Sequence, residues 1–186
     1  MNDSSREAFI IVGKLVLLAT VAAAVLALVY VPTQMQIELN REQARVEALE
    51  DVVPQAYEFE PVEGDPVNDE REVLYYRALD EDGNLIGYAF FGTRMGYAGI
   101  IEVAAGIDPE LNELIKVKII SQSETPGLGD RIKDDEFLRQ FEGLEVDNLE
   151  LTRDTGEVDA ITGATVSSRA VVEALNLKID EIKETM

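Results

Sequence analysis

Hydrophobic residues dominate the N-terminal part of the chain. The stretch Ala8–Val31 contains a single charged residue, Lys14, and its length matches the ~17–25 residues of a membrane-spanning helix. A cleaved signal peptide has a shorter apolar core of about 7–15 residues, and a buried core helix is the other alternative. The pattern favours an uncleaved transmembrane anchor over residues 9–31, behind an N-terminal tail of residues 1–8.

Beyond the anchor, the chain keeps a helical pattern. Apolar residues recur among charged ones, and neither Gly nor Pro occurs between positions 33 and 53, which predicts a helical stalk over residues 32–56. The next stretch, Tyr57–Asn68, contains two prolines and a glycine, so we expect an irregular linker or an edge segment there. The remaining domain is expected to span residues 57–186.

Runs of β-branched and aromatic residues begin after this stretch and predict strands. Four runs are predicted to be strands: Val73–Leu79, Leu85–Phe91, Ile100–Ala105 and Leu114–Ser121. The string Asp80–Asn84 between the first two is typical of a hairpin turn. Three glycines are expected to form the turn before the third strand: Gly92, Gly96 and Gly99. The pattern therefore predicts an antiparallel meander.

Two helices are predicted in the C-terminal half. Phe137–Phe141 fits a short amphipathic helix that Asp134 and Asp135 open. A final helix is indicated by an apolar stripe at helical spacing, formed by Val171, Leu175, Ile179 and Ile182. Strands followed by segregated helices indicate an α+β domain behind a single transmembrane helix.

Composition narrows the possible chemistry. The 37 acidic residues outnumber the 16 basic ones, giving a net charge of -21, so binding to nucleic-acid phosphates would work against strong repulsion. The chain has no cysteine and no histidine, which removes the usual ligands of iron–sulfur clusters, haem and zinc, together with Cys and Ser-His-Asp catalysis. Redox chemistry would need an organic cofactor, and we predict no catalytic side chain and no metal site.

The segment Asp159–Ser168, directly before the final helix, has the features of an anion site. Small Gly163 and Ala164 allow another molecule to approach the backbone closely. Hydroxyl groups are expected beside the free N–H groups of the helix start, on Thr165, Ser167 and Ser168. A helix N-terminus has partial positive charge and unpaired donors, so it suits a phosphate. The alternative is an ordinary helix cap.

The string D-x-x-T-G-A-T-x-S in this segment resembles the flavinylation motif of the FMN-binding domain family. In that family, a flavin transferase takes FMN from FAD and joins it by a phosphoester bond to the second threonine. The resemblance implies that Thr165 holds FMN covalently and that Asp159 contributes to recognition by the transferase. It also implies that neighbouring residues of the segment bind the cofactor, namely Thr162, Gly163, Ala164, Ser167 and Ser168.

A second glycine-rich stretch, Ser121–Asp130, follows a predicted strand. By itself, its Pro-Gly pair indicates only a surface turn. The string S-E-T-P-G-L-G within it is similar to the loop beside the flavin in the G subunit of Rnf-type electron transport complexes, and less closely to the C subunit of sodium-translocating NADH:quinone reductases. The resemblance implies flavin contacts from five residues: Glu124, Thr125, Gly127, Leu128 and Gly129.

Taken together, the two motifs imply a membrane-anchored subunit that relays electrons through covalent FMN. The implied complex couples electron transfer between ferredoxin and NAD to ion translocation, and the implied partners are its other membrane subunits and, during maturation, the flavin transferase. Two alternatives stay open. One is the flavin subunit of a sodium-translocating NADH:quinone reductase, and the other is a non-redox anchored binding module in which Thr162–Ser168 only caps a helix.

Basic residues bear on the orientation of the anchor. Arg6 and Lys14 flank one side, while Arg41 and Arg45 lie further out on the other. A short N-terminal tail is the easier part to leave in the cytoplasm. We therefore expect a single-pass protein of the bacterial inner membrane with its C-terminal domain on the extracytoplasmic side.

Overall fold

The computed structural model describes residues 3–64 and 73–185 of the chain. The first helix, α1, spans Asp3–Val52. Five strands follow, β1 Glu58–Glu63, β2 Val73–Leu79, β3 Leu85–Met95, β4 Ile100–Ile107 and β5 Leu114–Ser121, and then helices α2 Asp135–Leu138 and α3 Thr165–Thr185. The chain divides into two compact units, Met1–Gln43 and Ala44–Met186.

The first unit contains the apolar part of α1. Within the described residues, one helical stretch is long and apolar enough to cross a membrane, Ile10–Leu28, with a mean hydropathy of 2.5. None of this stretch is buried inside the protein. An exposed apolar helix of this length matches the expected anchor, because so large an apolar patch is rare on a surface that faces water.

The second unit is built on an antiparallel meander. Its five strands lie in the order β1-β2-β3-β4-β5, so each strand pairs with its neighbour in sequence, as predicted. The β2–β3 turn is organised by Asp80, whose carboxylate accepts hydrogen bonds from the backbone N–H groups of Asp82 (2.9 Å) and Asn84 (2.8 Å). Strand β1 is an edge strand and contains Pro61, which an edge tolerates because no second neighbour needs its missing N–H.

Two details differ from the sequence expectations. Gly92 lies inside β3 and not in the turn, which is formed around Gly96 and Gly99. A Cβ on Gly92 would lie 2.6 Å from the carbonyl oxygen of Ala174, so this glycine allows α3 to pack closely on the sheet. The expected linker is a strand over Glu58–Glu63, and its predicted continuation at 65–68 lies outside the described residues.

Helices cover both faces of the sheet. Alternate residues of β4, Ile101, Val103, Ala105 and Ile107, belong to the larger core, which also contains the predicted apolar stripe of α3. The intervening Ala104 faces a smaller core formed with the end of α1. The side chains of this smaller core are Ala48, Leu49, Val52, Val53, Ala78, Ala89 and Ala104. The second unit therefore begins at Ala44, inside the predicted stalk.

The predicted short helix is observed as α2, continued by a 3₁₀ turn over Arg139–Phe141. Asp134 occupies its N-cap position, but the Asp134 side chain makes no capping hydrogen bond. Phe137 and Phe141 are buried in the larger core, with ring centroids 5.4 Å apart. This packing holds the segment between β5 and α3 in place, and the candidate site depends on the position of that segment.

Candidate functional site

The segment before α3 forms a tight turn into the helix. The backbone N–H of Ala164 donates to the carbonyl of Ile161 (2.9 Å), and Gly163 has a left-handed φ of 82°, which a side chain would strain. Thr165 is the first residue of α3 and is partly exposed. Its hydroxyl makes no hydrogen bond within the part of the chain that the structure describes.

The two serines of the motif are not free at the helix start, in contrast to the expectation from the sequence. Both are buried. The Ser168 hydroxyl donates to the carbonyl of Ala164 (3.1 Å) and accepts from the N–H of Ile161 (3.0 Å), so it closes the turn. The Ser167 hydroxyl donates to Oε2 of Glu124 (2.5 Å). Thr165 is therefore the hydroxyl of this helix start that stays available for chemistry.

The loop after β5 forms the turn that its Pro-Gly pair indicates. The N–H of Leu128 donates to the carbonyl of Thr125 (3.1 Å), and Gly127 has a φ of 75°, the left-handed conformation that such a turn requires. The N–H of Gly127 donates to the carboxylate of Asp130 (2.6 Å). These bonds fix the loop and direct Leu128 toward the start of α3, where it lies close to Gly163.

This loop, the start of α3 and Tyr97 line an open cavity of about 590 Å³, which we call the loop–helix cavity. Its volume is within the roughly 300–1,000 Å³ typical of cofactor sites. It is lined by Tyr97, Glu124, Thr125, Leu128, Gly129, Gly163, Ala164, Thr165, Val166 and Ser167. The structure thus brings together residues from both sequence motifs, although their roles toward a ligand remain predictions.

Two lining residues were not among those predicted from the sequence. Tyr97, 73% exposed, lies in the β3–β4 turn, and Val166, 52% exposed, is the second residue of α3. Val166 occupies the unspecified position of the D-x-x-T-G-A-T-x-S string, directly after Thr165, and this position is the signal that could have identified it; no local pattern indicates Tyr97. Conversely, Gly127 and Ser168 do not line the cavity, because one shapes the loop and the other closes the turn.

Asp159 and Thr162 line a different, smaller cavity of about 200 Å³. The carboxylate of Asp159 accepts a hydrogen bond from the hydroxyl of Thr152 (3.0 Å), and its backbone N–H donates to the side-chain oxygen of Gln140 (2.7 Å). The first half of the motif is therefore fixed outside the loop–helix cavity. This placement separates Asp159 and Thr162 from the residues that the cavity offers to a cofactor.

The described side chains that line the loop–helix cavity include no lysine or arginine. A bound phosphate would instead be stabilised by the first turn of α3, where N–H groups have no partner inside the helix. The first intrahelical bond here runs from the N–H of Ser168 to the carbonyl of Ala164 (3.0 Å). Apolar Leu128, Val166 and Tyr97 supply walls for a ring system, so the residues present fit a flavin mononucleotide.

Comparisons with known proteins agree with this fit. The model of the FMN-binding domain family matches residues 96–180. The G subunit of the ion-translocating oxidoreductase complex of Methanosarcina acetivorans is 42% identical over 184 residues, covering 98% of this chain and 97% of the relative. The G subunit of the proton-translocating ferredoxin:NAD(+) oxidoreductase complex of Clostridium ljungdahlii is 28% identical over 189 residues, covering 97% of this chain and 95% of the relative.

Solved structures show the same fold. The C subunit of the Na(+)-translocating NADH-quinone reductase of Parabacteroides distasonis superposes with a TM-score of 0.60 and 19% identity, covering 82% of this chain and 94% of that one. This likeness confirms the expected α+β fold. The resemblance read from the motifs is confirmed by the near full-length relatives, and the chain belongs to the family of G subunits of ion-translocating oxidoreductase complexes.

Proposed function

We propose that this chain is the membrane-anchored flavoprotein of an Rnf-type complex, in which it relays electrons through FMN. The proposal rests on the loop–helix cavity, which is lined both by Thr165 and by residues of the Glu124–Gly129 loop. Two relatives are named as parts of ferredoxin:NAD(+) oxidoreductases, a proton-translocating one from Clostridium ljungdahlii and a Na(+)-translocating one from Acetobacterium woodii. The second relative is 31% identical and covers 89% of this chain.

FMN would supply reversible one-electron and two-electron chemistry, and the chain has neither cysteine nor histidine to bind an iron–sulfur cluster or haem for that purpose. The residues of the chain have the tasks of binding and orientation. The first turn of α3 would hold the phosphate through its free N–H groups. Leu128, Val166 and Tyr97 would supply apolar contacts to the ring system.

We further propose that the cofactor is attached covalently at Thr165. In this reaction the Thr165 oxygen forms a bond to the FMN phosphorus of FAD, the diphosphate bond breaks, and AMP leaves. The hydroxyl proton passes to a base of the flavin transferase, since the chain has no histidine to accept it. The partly exposed Thr165 hydroxyl is suited to this reaction because it has no hydrogen bond to lose within the described residues.

The proposed topology has residues 9–31 in the membrane and the FMN-binding domain, which begins at Ala44 in the structure, on the extracytoplasmic side. The exposed apolar stretch Ile10–Leu28 favours membrane anchoring. This agrees with the relatives, which are named as subunits of ion-translocating complexes. The likeness to the C subunit of a quinone reductase concerns the fold, whereas the near full-length sequence relatives are G subunits. We therefore favour the Rnf-type complex over the quinone reductase.

Thr165→Val tests the proposal. The full chain, produced with a flavin transferase, is denatured in detergent, separated by electrophoresis and examined for flavin fluorescence. We expect a fluorescent band for the native chain and none for Thr165→Val, which removes the attacking hydroxyl at nearly constant volume. Thr125→Val is the matched control, because Thr125 lines the same cavity from the loop and should keep the signal. Fluorescence that persists in Thr165→Val would place the attachment elsewhere.

A further inference from the structure

Glu124 differs from the residues that follow it in the loop. The side chains from Thr125 to Leu128 are exposed, whereas Glu124 is only 5% exposed. Removing a carboxylate from water is unfavourable unless hydrogen bonds replace its hydration. The burial of Glu124 therefore indicates a specific task inside the protein.

Both carboxylate oxygens of Glu124 are bonded to protein donors. Oε1 accepts from the backbone N–H of Ala98 (3.0 Å), and Oε2 accepts from the hydroxyl of Ser167 (2.5 Å). Ala98 lies in the β3–β4 turn beside Tyr97, and Ser167 lies in the first turn of α3, two residues after Thr165. One carboxylate thus connects the three segments that line the loop–helix cavity.

Two glycines make room for this carboxylate. A Cβ on Gly96 would lie 2.5 Å from Oε1 of Glu124. A Cβ on Gly129 would lie 2.6 Å from Oε2 and 2.7 Å from the Ser167 hydroxyl. Because real Cβ atoms do not approach so closely, any other residue at either position would require the carboxylate or a neighbouring side chain to move. The backbone on both sides is therefore shaped to seat Glu124.

We propose that Glu124 is a positioning residue and not a direct ligand of the flavin. Its carboxylate fixes the distance between the Tyr97–Ala98 turn and the first turn of α3, and so sets the width of the cavity in which FMN is bound. This inference rests on the proposed function for the identity of the ligand. The geometry that it describes belongs to the protein alone and can be measured without the cofactor.

The first measurement is hydrogen exchange of the Ala98 amide in the full chain, in detergent and in a Thr165→Val background that lacks covalent flavin. Glu124→Ala removes the acceptor, and we expect Ala98 to exchange roughly tenfold faster or more, as for loss of a hydrogen bond to a charged group. Glu124→Gln keeps an oxygen acceptor for Ala98 and a donor for Ser167, so exchange should stay near the native rate.

Glu102→Ala is the matched control, because Glu102 is also a buried carboxylate but binds Arg45 and Ser121 away from the cavity. Its effect on Ala98 exchange should be absent. Should Glu124→Ala fail to fold, Ser167→Ala supplies the test, since it frees one oxygen of the carboxylate and should accelerate exchange at Ala98 as well. Unchanged exchange at Ala98 in the folded variants would overturn the proposal.

The second measurement is the visible circular dichroism of the flavin in chains with native Thr165. We expect Glu124→Ala to change this spectrum and Glu124→Gln to restore it, because geometry and not charge is the cause. A Glu124→Gln spectrum as altered as that of Glu124→Ala, with native exchange at Ala98, would show a direct effect of the charge and overturn the proposal. Absence of flavin from the native chain would defeat the proposed function while leaving the exchange measurement valid.

Discussion

Removal of the end of α1 should destabilise the FMN-binding domain strongly. The sequence places the start of this domain at residue 57, but Leu49, Val52 and Val53 are buried against the sheet. At about 1.5–3 kcal/mol for each buried aliphatic side chain, their loss removes roughly 5–9 kcal/mol, an upper estimate because unfolded chains already bury some apolar surface. Domains have only about 5–15 kcal/mol in total.

The contact is specific in shape as well as apolar. A Cβ on Gly106 in β4 would lie 2.3 Å from the carbonyl oxygen of Val52, so helix and sheet approach each other closely. Removal of the helix would also remove Arg45, whose guanidinium donates two hydrogen bonds, of 2.7 and 2.9 Å, to the carboxylate of Glu102. Truncation would therefore also remove a charge-assisted contact between helix and sheet, in addition to the apolar packing.

Urea unfolding of two fragments, followed by circular dichroism, tests this reasoning. The fragment 44–186 should unfold cooperatively, and the fragment 57–186 should be unfolded or far less stable. In the full chain, Leu49→Ala should destabilise the domain by roughly 2–4 kcal/mol, whereas Val46→Ala, at a position 53% exposed, should change stability by less than about 0.5 kcal/mol. Equal stability of the two fragments would refute the role assigned to the helix end.

Four further outcomes are expected. Gly127→Val should keep covalent flavin but shift its midpoint potential, because a β-branched residue at a φ of 75° strains the loop by about 1–3 kcal/mol; an unchanged potential in a folded protein would place the loop away from the ring. Gly129→Ala should lower the melting temperature, since its Cβ would displace buried groups. A reporter fused at Met186 should be active only in its extracytoplasmic form, and cytoplasmic activity would defeat the topology. The side-chain and backbone hydrogen bonds of Asn84 lower the pKa of the Asp80 carboxyl. The hairpin therefore gains stability above the unfolded pKa of Asp80 and loses it as the pH falls through the folded pKa. Asp80→Asn should remove this pH dependence from acid unfolding.

The strands could be predicted because their signal is local. Val73–Leu79 and Leu114–Ser121 were predicted with the bounds that the structure has, since β-rich runs between turn residues determine them. Gly92 was misplaced because a single glycine indicates a turn unless its neighbours in space are known, and here the neighbour is the backbone of α3.

The site was predictable only in part. Thr165 and the Pro-Gly loop belong to contiguous strings, and their proximity follows from the resemblance. The bond between Ser167 and Glu124 joins residues 43 positions apart, and no local pattern indicates it. Tyr97 likewise reaches the cavity through the pairing of β3 with β4, which tertiary structure determines.

The central claim is covalent FMN at Thr165, and mass spectrometry of one peptide tests it most directly. Trypsin cleaves after Arg153 and Arg169 and releases residues 154–169, which contain every hydroxyl residue of the motif. Fragmentation of this peptide from the full chain, produced with a flavin transferase, should locate the FMN phosphoester on Thr165. An unmodified peptide, or FMN located on Thr162, Ser167 or Ser168, would contradict the account.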